Sequence, residues 1–181
     1  HLPVQPLLMA FLNAPLDLAA KSLPKMSQEQ RQALSDLTLW EKDRLDVISY
    51  QIFPMAYARC EDDKIIEDYA QSHDFLLYLK ARFHIHTFDV EDPMYPDHDY
   101  YFLTEDNLLL FEYDEDFGQV DEVKLLLRAL YGKMGVERAY SLLFKYLVNS
   151  YTLLEEESYQ HKKSRLRDYG FVDYYEALEL M

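Results

Sequence analysis

Apolar residues recur at three- and four-residue intervals along nearly all of this chain, and that spacing breaks down in one place, residues 84–117. The repeat on either side predicts helices that bury one stripe. Within the break, HIHTFDVEDPMYPDHD (84–99) ends the helical pattern. YYFLTEDNLLLFEYDED (100–116) then reads as two strands around the turn Thr104–Asn107. The pattern therefore predicts a mainly α protein: a superhelical stack of short helices, a β-hairpin insert and a long C-terminal helix. One α-rich domain over 1–181 is expected, divided into a short-helix stack (1–83), the insert (84–117) and C-terminal helices (118–181). Only four glycines and seven prolines favour such elements over a strand-rich sandwich.

The helical stretches carry their own stops and starts. A first helix is predicted over 5–13, with Leu7, Leu8, Phe11 and Leu12 on one stripe. Pro15 suits the first turn of a second, which carries Leu16, Leu18, Ala19 and Leu23. Ser27 and Gln30 form a capping box for a third, with Leu34 and Leu37 facing inward. A helix from Asp46 to Cys60 contains Pro54, which removes a backbone donor and should kink or split it. Helices near 62–71 and 74–83 follow. Beyond the insert, Val123, Leu126, Leu127, Leu130 and Tyr131 predict a helix over 121–131 that Gly132 stops. A long helix is predicted from Val136 to Tyr169, ending at Gly170 in a turn where Leu166 meets Phe171. Asp173 and Glu176 would cap a last helix.

Charge narrows the range of partners. Thirty-three acidic against eighteen basic residues give a net charge of −15. Such a field repels phosphate backbones and anionic lipid, so nucleic-acid and membrane-surface binding are not expected. It would attract cations or a basic partner, although solubility alone is the ordinary reason for an acidic surface. Residues 1–26 lack a basic leader and are interrupted by Pro6, Asn13, Pro15, Asp17 and Lys21, so neither a signal peptide nor a membrane span is read there. The chain begins at His1, which suggests a piece of a longer protein. The single cysteine, Cys60, permits no intrachain disulfide and suits a reducing, cytoplasmic setting as a buried structural thiol.

Chemical signals are few. No Gly-rich phosphate loop, G-x-S-x-G elbow or dinucleotide fingerprint occurs. His84 and His86 would share a face in a strand but diverge in a helix. With His98 and the nearby Asp89, Glu91, Asp92, Asp97 and Asp99 they supply ligand types that zinc or another divalent ion accepts. A bare H-x-H lacks the spacing of a metal motif, and hydrogen-bonded histidines are the default. No catalytic residue, cofactor site or metal site is therefore assigned; His84, His86 and His98 are the candidates if a divalent metal binds. The run Glu112–Asp116 lacks calcium-loop spacing. Trp40, Asp43 and Arg44 read as a helix-corner lock, with Arg44 stacked on the indole and paired to Asp43.

Two segments, LTLWEKDRLD (37–46) and ESYQHKKSRLRDYGFVDYYEALEL (157–180), resemble a family of uncharacterised bacterial proteins. The resemblance rests on Trp40, Glu41, Asp43, Arg44 and Leu45, and on Arg165, Leu166, Gly170, Phe171, Glu176 and Ala177. It covers about residues 30–180, and its helical part is similar to the cytoplasmic N-domain of MgtE-type magnesium transporters. That similarity implies an α-superhelical regulatory or interaction module, in a family with no established activity.

The expected function is a non-enzymatic protein-interaction or regulatory module, engaged through a helical groove or the hairpin edge. A divalent-cation-responsive regulatory domain is one alternative. A metal-dependent hydrolase centred on His84, His86 and His98 is another, which requires the three imidazoles to converge within about 4–5 Å. An acidic nucleic-acid mimic would need carboxylates in a regular stripe.

Overall fold

The computed structural model describes residues 4–149 together with Tyr159, Lys162, Lys163 and Arg165. The first half is a run of short helices: α1 (Val4–Asn13), α2 (Leu16–Ser22), α3 (Gln28–Leu39), α4 (Val47–Tyr50), α5 (Ile52–Ala58), α6 (Asp63–Ala70) and α7 (His73–Arg82). Side-chain caps set several of their starts. Ser27 and Gln30 close the capping box in both directions, at 3.1 and 2.9 Å. Asp62 caps α6 and Ser72 caps α7, each accepting from a backbone N–H three residues on. The expected 46–60 helix is split at Gln51 into α4 and α5. That is one turn before Pro54, whose missing N–H cannot bond to the Tyr50 carbonyl.

Between α3 and α4 the chain forms a feature that helical spacing does not reveal. Strands β1 (Trp40–Glu41) and β2 (Arg44–Leu45) make a minimal antiparallel ladder, with Lys42 at φ 59° in the turn. The expected Arg44–indole stack is absent from this corner. A cation over Trp40 is Lys162, 5.3 Å from the ring centroid, and Tyr159 meets the indole edge-on at 5.4 Å.

The insert is a three-stranded antiparallel sheet rather than a lone hairpin. Strands β3 (His84–Thr87), β4 (Tyr101–Leu103) and β5 (Leu109–Glu112) lie in the order β3-β5-β4. Ile85 and Phe102 both sit opposite Phe111, so these three share one face. Phe83, the residue after α7, meets Phe102, Phe111 and Phe117 edge to face with centroids 5.1–5.9 Å apart. Those contacts fasten the sheet to the helices, and such pairs contribute about 0.5–1.5 kcal/mol each beyond their buried area.

Helix α8 (Val120–Met134) returns from the insert and packs on α5 and α6. Val123, Leu126, Leu127, Leu130 and Tyr131 are buried, as the spacing predicted. Its stop is not Gly132, which lies inside the helix; Gly135, at φ 82°, ends it. Helix α9 (Val136–Leu143) starts where expected and passes into a π turn over Phe144–Asn149. Tyr159, Lys162, Lys163 and Arg165 are helical. The predicted turn at Gly170 and the Asp173 cap lie outside the described residues. The fold is thus mainly helical with small antiparallel sheets.

Candidate functional site

Helix α3 buries Ala33, Leu34, Ser35, Asp36, Thr38 and Leu39, whereas Leu37, assigned inward from spacing, is half-buried. Apolar neighbours on both sides carry Ser35 and Asp36 into the interior. Asp36 is fully buried and is gripped by Arg165, whose Nε and Nη2 donate to its two carboxylate oxygens at 2.7 and 2.8 Å. Gln32 bridges to a second carboxylate: its amide donates to Asp36 at 3.0 Å and to Asp74 of α7 at 2.9 Å. Ser35 Oγ binds Asp74 on the same oxygen, and lies 3.1 Å from the Tyr50 hydroxyl. Tyr50 continues the chain to Tyr69 at 2.9 Å.

Burial pushes the Asp74 carboxyl up to about 6, and the neighbouring Asp36 charge adds to the rise against the hydrogen bonds from Ser35 and Gln32. Burial also raises the Tyr50 and Tyr69 hydroxyls well above the ordinary phenol range. Beside this network opens a pocket of about 80 Å³, lined by Arg31, Ser35, Tyr57, Tyr69, Ser72 and Asp74 among others. The Tyr57 and Tyr69 rings stack at 3.9 Å in its wall. A buried carboxyl with a raised titration beside a cleft, as at Asp74, is an arrangement that marks a candidate site.

The insert brings two of the three candidate histidines together. His86 Nε2 lies 3.3 Å from Glu112 Oε1, and His98 Nε2 lies 2.8 Å from Glu112 Oε2. Hydrogen bonds from the two imidazoles, His98 first, hold the Glu112 carboxyl below its usual range. The Tyr100 N–H donates to His98 Nδ1 at 3.0 Å, which places the His98 proton on Nε2, facing Glu112. Both ring nitrogens of His98 are then occupied. His84 is exposed and directly opposite Glu112 in the ladder. Among the described residues no group of three or more His, Cys, Asp or Glu is placed to hold a metal ion. Cys60 is buried, and burial raises its thiol.

The sheet also leaves an edge open. Among the described residues β5 is paired on both sides, β3 runs beside the π turn, and the outer side of β4 has no strand partner. The Tyr100 carbonyl accepts from Tyr113, just past β5, and the Thr104 N–H donates to Leu109, so the alternation of an antiparallel ladder turns the N–H and C=O of Tyr101 and Leu103 outward. A groove of about 200 Å³ lies between this edge and α8, lined by Phe102, Leu103, Thr104, Lys124, Leu127 and Arg128 among others. Lys124 stands 5.2 Å from the Phe102 ring centroid.

Residues 1–180 match the model of a family described only as a family of unknown function, DUF6178. The chain belongs to that family. No curated protein and no solved structure matches it. In this DUF6178 member the guide to function is therefore side-chain chemistry. Asp36, Asp74 and Arg165 form a buried charged network that spacing alone does not single out. One signal was present: the run ALSDLTL (33–39) contains a single charge among apolar neighbours. No described helix is long and apolar enough to cross a membrane.

Proposed function

We propose that this chain is a non-enzymatic protein-interaction module that takes an extended segment of its partner along β4. The observation that carries the reading is the outward-facing backbone of Tyr101 and Leu103, an edge that offers hydrogen bonds to an added strand. The adjoining groove supports it. Leu127 and Phe102 provide an apolar wall, and Lys124 and Arg128 provide two cations on a protein of net charge −15. The preferred segment therefore carries alternate apolar residues and a carboxylate near the cations. A divalent-cation-responsive regulatory role is the alternative that metal titration separates from this one.

Selection of peptides from a random displayed library with the full chain tests the proposal. Selected peptides should be extended and acidic, and should shift the amide resonances of Tyr101 and Leu103. Leu103→Pro, which deletes one outward donor, should weaken them at least about tenfold while circular dichroism stays unchanged. Peptides that map elsewhere, or that bind the proline variant equally, overturn it.

A further inference from the structure

We propose that the pocket between α3, α5, α6 and α7 is a binding site for a small primary amine, whose ammonium group seats on Asp74 and the Tyr57 hydroxyl. The site is separate from the β4 edge and does not depend on it. Asp74 and Tyr57 are each only 5% exposed. Both hydrogen bonds received by Asp74 end on Oδ2, from Ser35 and Gln32, which leaves Oδ1 without a partner among the described residues. The Tyr57 hydroxyl likewise has no hydrogen-bond partner among them. Two polar atoms on largely buried side chains thus line one cavity without a protein partner among the described residues, and both are open to a ligand that enters it.

The charge balance selects the sign of that ligand. The carboxylates of Asp36 and Asp74 lie together, but Arg165 gives both of its bonds to Asp36. Arg31, the other cation at the pocket, directs Nη1 to the carbonyls of Leu23 and Met26 at 3.1 and 2.7 Å. No cation hydrogen-bonds to Asp74, which feels the Arg165 charge only across Asp36, so an ammonium group on its free oxygen would add a direct counter-charge. An ammonium group has three donors and no acceptor, which suits a carboxylate oxygen and a phenol oxygen. The stacked rings of Tyr57 and Tyr69 add an aromatic wall, which attracts cations. A divalent ion is poorly served, because no three metal-binding side chains converge among the described residues.

Size narrows the class further. The cavity, about 80 Å³, exceeds the roughly 10–15 Å³ that one water needs. It suits an aliphatic amine of a few heavy atoms. Exposed Asp68 and Gln28 at the rim would let a longer amine extend outward, where a diamine would compete with Lys64 for Asp68.

The test is a ¹⁵N amide-shift titration of the full chain with methylammonium chloride. Tetramethylammonium chloride, sodium chloride and sodium acetate at equal ionic strength serve as comparisons. Methylammonium should give saturable shifts at Ser35, Tyr57 and Asp74, and tetramethylammonium, which has no N–H donor, should not. Asp74→Asn should weaken binding by about tenfold or more, and Tyr57→Phe by about fivefold. The phenylalanine variant keeps the ring stack, so it remains informative if the asparagine variant does not fold. Equal shifts with sodium or tetramethylammonium, saturation by acetate instead, or affinity unchanged in both variants would each refute the site.

Discussion

Arg165 holds Asp36 through two parallel bonds, 2.7 and 2.8 Å long, between residues 129 positions apart. The carboxylate is fully buried, and a third of the guanidinium side chain reaches water. Removing the cation would strand a charge in the interior. Arg165→Met should therefore cost about 3 kcal/mol in urea unfolding, the lower end for breaking a buried pair, given the partial exposure of Arg165. Adding Asp36→Asn to that variant should restore part of the loss. If Arg165→Met alone leaves the midpoint in place, the pair does not hold the C-terminal segment in solution.

Stability should also depend on the protonation of Asp74. Its folded-state carboxyl is raised from 3.8 to about 6, chiefly by burial, so the folded chain binds a proton more tightly than the unfolded chain does. For an acid raised on folding, stability falls as pH rises between those values. The difference in unfolding free energy between wild type and Asp74→Asn should shift in favour of the asparagine variant from pH 4 to pH 7. A flat difference across that range contradicts the assignment.

The two glycines of α8 should respond in opposite directions to alanine. Gly132 is exposed inside the helix, with open space where a Cβ would be, so Gly132→Ala should stabilise by about 0.5–1 kcal/mol. Gly135 sits at φ 82°, ψ 162°, a region that side chains scarcely enter, so Gly135→Ala should cost about 1–3 kcal/mol. Thermal melts of both variants decide the point. Equal effects would mean that the helix ends elsewhere.

Divalent cations should have little specific effect. His98 already gives one ring nitrogen to Glu112 and accepts the Tyr100 N–H on the other, so a metal would have to break one of these bonds. Magnesium or zinc should raise the melting temperature no further than monovalent salt of equal ionic strength does. A specific ion at a hundred times its dissociation constant would add about 2.7 kcal/mol. A saturable rise that His98→Ala removes would replace the interaction reading with a cation-responsive one.

The helices were legible because each carries local instructions. Ser27 and Gln30 cap α3 as read, Pro54 splits its helix, and the apolar stripe of α8 is buried residue for residue. The end of α8 was misplaced because two glycines lie three residues apart, and only backbone geometry tells which one takes the left-handed turn. Strand β3 was open to two readings, since its partner β5 lies a loop and a strand away and H-I-H-T has no repeat of its own. The histidines stood out by residue type, yet Glu112 organises them, and its role depends on the register between strands. Asp36 and Asp74 are hidden among many surface charges, and Arg165 stands out only through the family resemblance. Asp74 lies in the first turn of α7, where an acid is also expected simply to favour the helix dipole.

Having β5 in the middle imposes an order on the insert's assembly. His84–Thr87 emerges from synthesis with nothing to pair with, and Tyr101–Leu103 follows in the same state. Only when Leu109–Glu112 appears do both gain a neighbour. A chain truncated or cleaved before that strand would expose two sticky ribbons at once and should be prone to aggregate.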